Sequence, residues 1–344
     1  MVGLAVVIVS WNVRELLRRC LDSVYSSMPS KAADIALEVV VVDNGSSDGS
    51  FEMVQRCFPQ VRLIVNDNNP GFSAANNQAL ETIGLIKGGQ EAGSSLEGKG
   101  SGARYVLFLN PDTEIVGPAL STMVEYMEAN PEVGVVGPRL LNPDGSEQSS
   151  RRRFPTMATA FLESTILQQW FPDNPVLRHY YLADGSPQEL QEVDWVTGAC
   201  FMVRDEALTQ VGYFDESFFM YFEELDWCYR CKSQGWKVVY LPEAKVIHYG
   251  GQSSQQVLPY QHIHFQSSKV TFFRKHYGPR QAEILRLFLL ATYLYQLVLE
   301  GLKGLVGHKR QLRWERVAAY RQVLRSGLRG VPADTLAGAQ RQSG

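Results

Sequence analysis

Short apolar runs and longer amphipathic stretches alternate through the first 140 residues of the chain. The apolar runs are rich in β-branched residues, which is typical of buried strands, and they lie at 4–9, 38–42, 61–65, 105–109 and 133–136. Amphipathic helices are predicted between them, near 13–27, 48–57, 73–86 and 117–129. This alternation predicts an α/β fold with a mostly parallel, Rossmann-like central sheet and helices on both faces.

The pattern changes in the later part of the chain. Residues 87–103 are rich in Gly and Ser and have no apolar period, which predicts a flexible surface insertion. Residues 284–299 form an apolar run that is shorter than the roughly 20 residues needed to span a bilayer. A helix lying at a membrane interface is therefore favoured. Packing of this helix on the protein, or on a second copy of the chain, is the alternative.

Charge is distributed unevenly along the sequence. The whole chain has a net charge of −3, which argues against a nucleic-acid-binding protein. Residues 301–344 nevertheless carry nine Lys and Arg against two acidic residues, and a basic segment after an apolar helix is typical of contact with anionic lipid. We expect one domain over 1–278 and a helical, basic extension over 279–344, with membrane contact through 281–344.

Composition narrows the class of protein further. Five cysteines in 344 residues are too few for a disulfide scaffold and indicate a reducing cytoplasm. A hydrophobic content of 45% is that of a folded protein with a large core. A nucleotide-dependent dehydrogenase is disfavoured because no GxGxxG motif follows the first predicted strand.

Three carboxylates lie close together between aromatic residues in the segment 219–226. They are Glu223, Glu224 and Asp226. Aromatic neighbours exclude water, and like charges held close together raise the proton affinity of one of them. A carboxylate with a raised pKa can act as a general base near neutral pH. The alternative is an acidic first turn of a helix, since Glu and Asp favour that position.

Polar residues also follow two of the predicted strands. The second strand ends at Asp43, and a turn of small residues leads from there to Asp48, which is placed to cap the next helix. The fourth strand ends in Asn110-Pro111-Asp112. Ligands of parallel sheets bind at the carboxyl ends of strands, and a carboxylate there can hold Mg²⁺ or Mn²⁺ together with substrate phosphates. Each turn taken alone is equally typical of ordinary turn chemistry.

Several short segments, taken in order, resemble those of a known family. They lie at 7–12, 41–50, 69–77, 109–113, 137–146, 152–155, 193–200, 212–215, 219–226, 246–251 and 274–278. In this order they resemble the segments of inverting glycosyltransferases of family 2, which have the nucleotide-sugar-binding GT-A fold. The likeness is greatest to the rhamnosyltransferase-type branch, which uses dTDP-L-rhamnose.

The resemblance implies a nucleotide-sugar site at the carboxyl edge of the sheet. Asp43 stands where the family contacts the nucleoside base, beside the turn Ser10–Asn12. Asn76 stands where many relatives have an arginine near the nucleotide. The donor-binding residues implied in this way are Ser10, Trp11, Asn12, Asp43, Asn44, Ser46, Asn68, Gly71, Asn76, Asn110 and Asp112.

The resemblance also implies a divalent cation, Mg²⁺ or Mn²⁺. Asp112 corresponds to the second acidic residue of the family's DxD metal motif, whose first position is Asn110 here, as in relatives of the same branch. His248 occupies the place of a histidine that helps to bind the metal in some relatives. The expected metal ligands are therefore Asp112 and His248, with a purely structural role of the histidine as the alternative.

The general base implied by the resemblance is Glu224. Relatives usually have an aspartate at this position, so the carboxylate is retained here and its reach is longer by one methylene. Glu223 is the alternative base, and Asp226 is expected to orient a neighbour or to cap the helix. The mechanism implied is a single in-line displacement at the anomeric carbon, in which the base takes the proton of the acceptor hydroxyl.

A basic triplet and one tryptophan are candidates for contact with the acceptor or a diphosphate. Arg151, Arg152 and Arg153 suit phosphate oxygens because guanidinium groups match them geometrically, and a solvated basic loop is the alternative. Trp195 is placed to stack on a sugar face or to pack in the core.

Together these features predict transfer of L-rhamnose from dTDP-L-rhamnose to a glycan or polyprenol-linked acceptor in cell-envelope polysaccharide biosynthesis. The expected location is cytoplasmic, peripheral on the inner face of the plasma membrane, and a homodimer is left open. One alternative is a family 2 transferase that uses a UDP-hexose. The other is a non-catalytic, sugar-nucleotide-binding scaffold on the same fold, which Asn110 and the glutamate at position 224 motivate.

Overall fold

The computed structural model describes residues 2–27, 35–85, 102–250, 258–305, 307 and 309–329. The expected insertion at 87–103 lies outside the described residues except for its last two positions, and the second of these, Ala103, begins a strand. The end of the expected extension, from residue 330 onward, also lies outside them.

Strands and helices alternate through the first part of the chain as the apolar pattern predicts. The strands are β1 (Val2–Ser10), β2 (Ile35–Asp43), β3 (Arg62–Val65), β4 (Ala103–Leu109), β5 (Thr113–Val116), β6 (Val133–Leu141), β7 (Glu147–Gln148), β8 (Arg151–Arg152), β9 (Gln191–Val193), β10 (Trp195–Val196), β11 (Cys200–Arg204) and β12 (Lys237–His248). The helices are α1 (Arg14–Ser26), α2 (Ser50–Cys57), α3 (Phe72–Ile83), α4 (Ala119–Ala129), α5 (Met157–Leu162), α6 (Ile166–Trp170), α7 (Pro175–Tyr180), α8 (Asp205–Val211), α9 (Glu223–Ser233), α10 (Leu258–His276), α11 (Pro279–Leu305) and α12 (Arg310–Ser326).

The central sheet has the strand order β3-β2-β1-β4-β11-β6-β12-β5, with β7 beside β6 and β9 beside β12. The first four strands of that order are parallel to one another, and β6 is parallel to β12. β11 runs antiparallel between β4 and β6. The predicted α/β class and mostly parallel sheet are confirmed. The near-continuous apolar runs of β1, β2 and β4 are buried, as strands covered on both faces must be.

This topology brings the ends of several strands to one edge of the sheet. The parallel strands β1, β2 and β4 end there at Ser10, Asp43 and Leu109. Because β11 is antiparallel to β4, with Cys200 opposite Leu109, β11 begins at the same edge. β12 also ends there, since His248 pairs with Thr113 directly after the turn that carries Asp112. We call this the carboxyl edge.

Arg204, the last residue of β11, is buried at the end of α4. Its Nε donates to the carbonyl oxygen of Val133 at 2.9 Å, and its Nη2 donates to the carbonyl oxygens of Met127 and Asn130. The last carbonyls of a helix have no partner within it, and a cation placed there complements the helix dipole. Arg204 therefore fastens α4 to the sheet.

Replacing Arg204 by leucine is expected to lower the free energy of unfolding by about 3 kcal/mol, because several buried carbonyl oxygens then lose their donor. Arg104→Leu is the matched control, since Arg104 forms an exposed ion pair with Glu128 at 2.9 Å, and exposed pairs contribute less than about 1 kcal/mol. Urea titration followed by tryptophan fluorescence measures both variants. Equal losses of stability would contradict the role given to Arg204.

The chain forms two compact units. The first, which contains the sheet, comprises Met1–Phe154, Asp184–Glu216 and Glu223–Ser253, and the second comprises Pro155–Ala183, Ser217–Phe222 and Ser254–Gly344. These units do not follow the expected boundary at residue 278. The expected division into two independently folding domains, 1–278 and 279–344, stays a prediction.

The second unit is helical. Within it, α10, α11 and α12 pack against one another, and α5 packs on α11. Lys269 of α10 is buried, and its Nζ lies 2.8 Å from the carbonyl oxygen and 3.2 Å from a carboxylate oxygen of Glu163. Burial lowers the pKa of Lys269, and the attraction of Glu163 opposes that shift. The ion pair with Glu163 therefore compensates the buried charge of Lys269.

Helix α11 is longer than its sequence pattern suggests. It contains 27 residues, and by length and composition alone it could cross a membrane, so the expectation that it falls short of a bilayer is wrong. The apolar run 284–299 covers only its middle. Of its most apolar window, 33% is buried inside the structure. The helix therefore has both a packed face and an exposed face.

Candidate active site

Four of the expected donor-binding residues at the carboxyl edge each have a buried polar atom that lacks a hydrogen-bond partner among the described residues. These atoms are Ser10 Oγ, Trp11 Nε1, Asp43 Oδ1 and Asn76 Oδ1. Ser10 and Asp43 lie side by side in the parallel pair β1–β2, and α3, which carries Asn76, packs on both strands. An unsatisfied buried polar group costs about 1–3 kcal/mol. A cluster of such atoms is therefore typical of a site that a polar ligand completes.

The turn after β1 is tied to the loop after β2. Asn12 adopts a left-handed backbone conformation with a φ of 52°, and its N–H donates to Ser46 Oγ at 2.9 Å. The N-cap of α2 is Gly49 rather than the predicted Asp48, but Asp48 accepts from the N–H of Ser50 at the start of α2 and also from the N–H of Arg14 at the start of α1. It therefore serves two helices and holds the two loops together.

Asparagine side chains connect the loops after β2 and β3. Asn44 Nδ2 donates to Asn69 Oδ1 at 3.2 Å, and Asn44 Oδ1 accepts from Asn66 Nδ2 at 3.0 Å. Asn69 Oδ1 also accepts from the N–H of Gly71, whose φ of 98° suits glycine. Asn68 is exposed beside this network. Among the expected donor-binding residues, Asn44 and Gly71 thus build the loop framework, whereas Asn68 faces solvent.

Asp112 and His248 are brought together from distant parts of the sequence. His248 Nε2 lies 3.3 Å from Asp112 Oδ1, and this buried nitrogen has no hydrogen-bond partner among the described residues. A carboxylate and an imidazole so placed suit a divalent cation whose other positions are filled by diphosphate oxygens and water. The part of the chain that the structure describes contains no group of three or more His, Cys, Asp or Glu that could hold a metal. The pair fits the expected cation if a phosphorylated donor completes the coordination.

Asn110 shapes the turn that carries Asp112. Its N–H donates to the carbonyl oxygen of Ala199 at 2.9 Å, and its carbonyl oxygen accepts from Thr113 Oγ1 at 2.7 Å. These bonds tie the end of β4 to the residues before β11. Asn110 therefore has a structural role at the carboxyl edge through its backbone.

Glu223 and Glu224 begin α9, where Glu223 is buried and Glu224 is partly exposed. Burial raises the pKa of Glu223 well above its ordinary value of 4.5, and repulsion from Glu224 adds to the shift. Burial also raises the pKa of Glu224, but hydrogen bonds from backbone N–H groups, that of Gly198 first, oppose it. Because Glu223 holds its proton more tightly, Glu224 is the first of the two to ionise as the pH rises.

The two carboxylate oxygens of Glu224 have different surroundings. Oε1 accepts from the N–H of Gly198 at 3.2 Å. Oε2 is buried and has no hydrogen-bond partner within the described part of the chain. Gly198 comes just before β11, which begins at the carboxyl edge, so one oxygen is held in place there. The other is available to accept a proton.

Asp226, in contrast, is fully buried in an ion pair. Its Oδ2 lies 2.9 Å from Arg230 Nε, one helical turn further along α9. Arg230 also donates to the carbonyl oxygens of Val211 and Tyr213, at 2.6 and 2.9 Å. Asp226 thus anchors α9 through Arg230. This arrangement favours the orienting role expected for Asp226 over proton transfer.

Arg152 and Trp195 stack on the small two-stranded ribbon β8–β10. The Arg152 guanidinium lies 5.7 Å from the centroid of the Trp195 ring, and its charge lowers the pKa of Glu224. Trp195 is buried, and its Nε1 donates to the carbonyl oxygen of Arg153, which favours the core-packing alternative. Arg153 Nε has no partner among the described residues. The ribbon therefore brings positive charge close to Glu224.

Arg151 faces the protein interior. Its guanidinium donates to the carbonyl oxygen of Gly185 at 2.7 Å and lies 5.2 Å from the centroid of the Tyr240 ring. It also lies 3.5 Å from a carboxylate oxygen of Glu147. This buried arrangement favours a structural role of Arg151 over the expected contact with a diphosphate.

Sequence reasoning missed three residues of this site. Gly198 contributes only a backbone N–H, and Gln148 accepts from His248 Nδ1 at 2.6 Å. Asn77 bonds in both directions with the backbone of Phe214 and donates to Glu216 at 2.9 Å. Gly198 and Asn77 lie inside the family-like segments 193–200 and 69–77, and Gln148 lies two positions after 137–146. That placement was the only signal.

One sheet edge thus combines buried polar atoms that a ligand could satisfy with a carboxylate whose pKa is raised, and such an edge is suited to moving a glycosyl group from a nucleotide to a hydroxyl. The enzyme is a glycosyltransferase with the GT-A fold. The profile of the family described as "Glycosyltransferase like family 2" matches residues 2–261, and the chain belongs to this family.

Two relatives and one solved structure define the likeness. The chain is 31% identical over 277 residues to N-acetylglucosaminyl-diphospho-decaprenol L-rhamnosyltransferase of Mycobacterium tuberculosis, which covers 80% of this chain and 85% of that protein. It is 25% identical to the dTDP-rhamnosyl transferase RfbF of Shigella flexneri, over 64% of this chain and 62% of that protein. The crystal structure of GalNAc-T7 with UDP, GalNAc and Mn²⁺ matches with a TM-score of 0.52 and 15% identity, over 80% of this chain. The chain spans 48% of the GalNAc-T7 chain, and this likeness concerns the fold alone.

Proposed function

We propose that the chain transfers L-rhamnose from dTDP-L-rhamnose to a polyprenol-linked glycan, with inversion at the anomeric carbon. The observation that carries this proposal is the surroundings of Glu224. One of its oxygens is held by the Gly198 N–H, and the other is buried without a partner among the described residues. Inverting transfer needs a base so placed to take the proton of the attacking hydroxyl.

The proposed reaction is one displacement. The acceptor oxygen attacks the anomeric carbon while Glu224 takes its proton, and the bond from that carbon to the diphosphate breaks. Asp112 and His248 would hold a divalent cation, which would supply positive charge to neutralise the departing diphosphate. The raised pKa of Glu223 favours its protonated form, which adds no second negative charge beside the base.

The donor pocket suits a pyrimidine nucleotide. Asp43 Oδ1 can only accept as a carboxylate, and the N3–H of thymine or uracil is a donor. Trp11 Nε1 can only donate, which suits a carbonyl, hydroxyl or phosphate oxygen. These groups do not distinguish thymine from uracil. The choice of dTDP and rhamnose rests on what the relatives from Shigella flexneri and Mycobacterium tuberculosis act on.

The donor is tested first by nucleotide binding. At equal concentrations, dTDP is expected to raise the melting temperature more than UDP, because dTDP is the nucleotide of the proposed donor. A ligand at 100 times its Kd stabilises the folded protein by about 2.7 kcal/mol. Asp43→Asn, which keeps the shape but replaces an accepting oxygen by a donor, is expected to lose most of the shift. Stabilisation by UDP alone would contradict the dTDP donor and favour a UDP-hexose. Mass spectrometry of products from both donor classes, with a lipid-linked acceptor, identifies the sugar transferred.

The acceptor is proposed to carry a diphosphate, as the name of the Mycobacterium tuberculosis relative states for that enzyme. Arg152 acts on Glu224 electrostatically, and Arg153 Nε is a buried donor without a partner among the described residues. Guanidinium groups bind phosphate oxygens through two parallel hydrogen bonds. We therefore assign the acceptor diphosphate to Arg152 and Arg153 and leave Arg151 to the structure.

The exposed face of α11 is proposed to contact an anionic membrane surface. Seven large apolar side chains follow one another on this face at steps of mostly three or four residues: Ile284, Leu287, Leu294, Tyr295, Val298, Leu302 and Leu305. The Trp170 ring lies 6.1 Å from that of Tyr295, and Phe171 is also exposed. Aromatic side chains beside an apolar face are typical of membrane interfaces.

Charge supports lipid over a second copy of the chain as the occupant of this face. Exposed cations lie at the end of α11 and along α12, where Glu315 is the one exposed acidic residue described: Lys303, Arg310, Arg316, Arg321 and Arg325. Each cation near an anionic surface contributes about 1 kcal/mol. We propose a peripheral position on the inner face of the plasma membrane, where a polyprenol-linked acceptor is available.

Vesicle co-sedimentation tests this contact. The triple variant Leu287→Gln, Leu294→Gln and Val298→Gln is expected to bind vesicles containing phosphatidylglycerol at least about tenfold more weakly, since each side chain loses apolar burial of about 1 kcal/mol. The matched control replaces Val65, Val116 and Leu190, which are exposed in the first unit, and should bind as the unchanged chain does. If the triple variant instead converts a dimer into a monomer with unchanged vesicle binding, the face is an interface between copies.

A further inference from the structure

Gln148 joins three groups around His248 in the first unit. Its Oε1 lies 2.6 Å from His248 Nδ1. Its Nε2 lies 3.1 Å from Asn142 Oδ1 and 3.5 Å from the carbonyl oxygen of His248 itself. The short strand β7 pairs with β6, so the sheet fixes the position of Gln148.

Backbone carbonyl groups decide which way these amides point. The carbonyl oxygen of His248 can only accept, so the NH₂ group of Gln148 must face it. Asn142 Nδ2 likewise faces the carbonyl oxygen of Glu147, at 3.4 Å, which turns Asn142 Oδ1 toward Gln148. Both arguments place Gln148 Oε1 against His248 Nδ1.

The orientation of Gln148 determines the tautomer of His248. An amide oxygen can only accept, so Nδ1 must carry the hydrogen of the imidazole. In the neutral ring Nε2 then carries a lone pair, and this nitrogen lies 3.3 Å from Asp112 Oδ1. Two electron-rich atoms at that distance repel each other in a buried site. A cation between them removes the repulsion.

We propose that Gln148 is a positioning residue that holds His248 in the Nδ1–H tautomer and so directs Nε2, together with Asp112, at a divalent cation. This inference rests on the proposed metal site and adds the residue that prepares it. Groups that bind the second nitrogen of a ligating histidine raise metal affinity by about 10- to 100-fold. The competing arrangement is an imidazolium that pairs with Asp112 and leaves no place for a metal.

The first test reads the tautomer directly. In protein labelled with ¹⁵N-histidine and without metal, long-range ¹H–¹⁵N spectra at pH 8 are expected to show His248 protonated at Nδ1 and bare at Nε2. The signal is assigned by its absence from His248→Asn. In Gln148→Met, which has similar length but a poor acceptor, the Nε2–H form should appear. An Nε2–H form or an imidazolium in the unchanged protein would overturn the proposal.

The second test measures Mn²⁺ affinity from the signal of free Mn²⁺ in electron paramagnetic resonance, with dTDP present. Gln148→Met is expected to raise the Kd by about 10- to 100-fold. Gln148→Glu, which keeps an acceptor for Nδ1, should stay within about fivefold of the unchanged protein. Gln55→Met, an exposed glutamine of α2, is the matched control and should have no effect. An unchanged Kd in Gln148→Met would overturn the proposal.

These readouts separate the inference from the proposed transfer reaction. A protein with the expected tautomer and Mn²⁺ affinity but without rhamnosyl transfer contradicts the proposed function only. A protein that transfers rhamnose while His248 carries its hydrogen on Nε2 contradicts the role of Gln148 only. Melting temperatures of the variants identify any loss of folding before either comparison is made.

Discussion

Glu224→Gln is expected to lower kcat for sugar transfer by about 10²- to 10⁴-fold, the contribution typical of a general base. The amide keeps the size of the side chain and an oxygen that can accept from the Gly198 N–H, so the KM for the donor should change little. A fall in kcat at unchanged KM then reflects the missing proton acceptor rather than a disturbed fold. Initial rates with donor and acceptor varied separately provide both constants.

Two further variants make this result specific. Glu223→Gln should retain most of the activity, because the amide resembles the neutral form that the raised pKa of Glu223 favours. Glu224→Asp, which has the side chain usual in relatives, should fall between the two, since a carboxylate displaced by about 1 Å can cost about 10²-fold. A large loss in Glu223→Gln with little loss in Glu224→Gln would reassign the base to Glu223.

The pH dependence of kcat has a definite sign. The base must be ionised, and burial raises the pKa of Glu224. The rate should therefore rise with pH through that raised pKa, so the acid limb of the profile lies above the ordinary glutamate value of 4.5. In Glu223→Gln this limb should move little, because Glu224 ionises first and a still-protonated Glu223 places no charge beside it. A large shift of the limb to lower pH would mean that Glu223 ionises before Glu224.

Asp112→Asn is expected to lower transfer by about 10³-fold or more, because charge neutralisation of a leaving diphosphate contributes several kcal/mol and each 1.36 kcal/mol is tenfold in rate. Residual activity in the variant should be insensitive to EDTA, whereas the unchanged enzyme should lose activity with EDTA and regain it with Mn²⁺. Asp144→Asn, in an exposed turn of the first unit, is the matched control and should retain activity. Full, EDTA-sensitive activity in Asp112→Asn would remove Asp112 from the metal site.

The strands of the parallel half of the sheet can be predicted from sequence because each one is determined by the pattern of its own residues. The run 4–9 is apolar and β-branched, and it forms β1, which is buried throughout its described side chains. The position of β11 was not accessible in this way. The residues Cys200–Arg204 do not indicate an antiparallel position between β4 and β6, because strand order depends on the packing of the whole sheet.

The residues of the candidate site likewise fall into those that local sequence indicates and those that depend on the packing of the whole sheet. Asp43 and Asp112 were found because they follow strands, and the acidic pair at the start of α9 because it is dense in charge. The ion pair of Asp226 with Arg230 could also have been read, since i,i+4 spacing places them on one helix face. The contact of His248 with Gln148 could not, because it depends on how β6, β7 and β12 pair over 100 residues of intervening chain. A backbone donor such as the Gly198 N–H is not indicated by residue type, and only its place in the segment 193–200 points to it.

Helix α3 has two neighbouring asparagines with different tasks. Asn76 has a buried, unsatisfied oxygen at the proposed donor site, and Asn77 holds the segment at 214–216 through three hydrogen bonds. Because successive positions of a helix are turned by only about 100°, one rigid turn carries both. Substitutions that adapt this helix to a new nucleotide sugar therefore also disturb the chain that leads toward α9. Changes of donor preference should arise more readily in the loops after β1 and β2, because these loops do not carry the hydrogen bonds that hold the segment at 214–216.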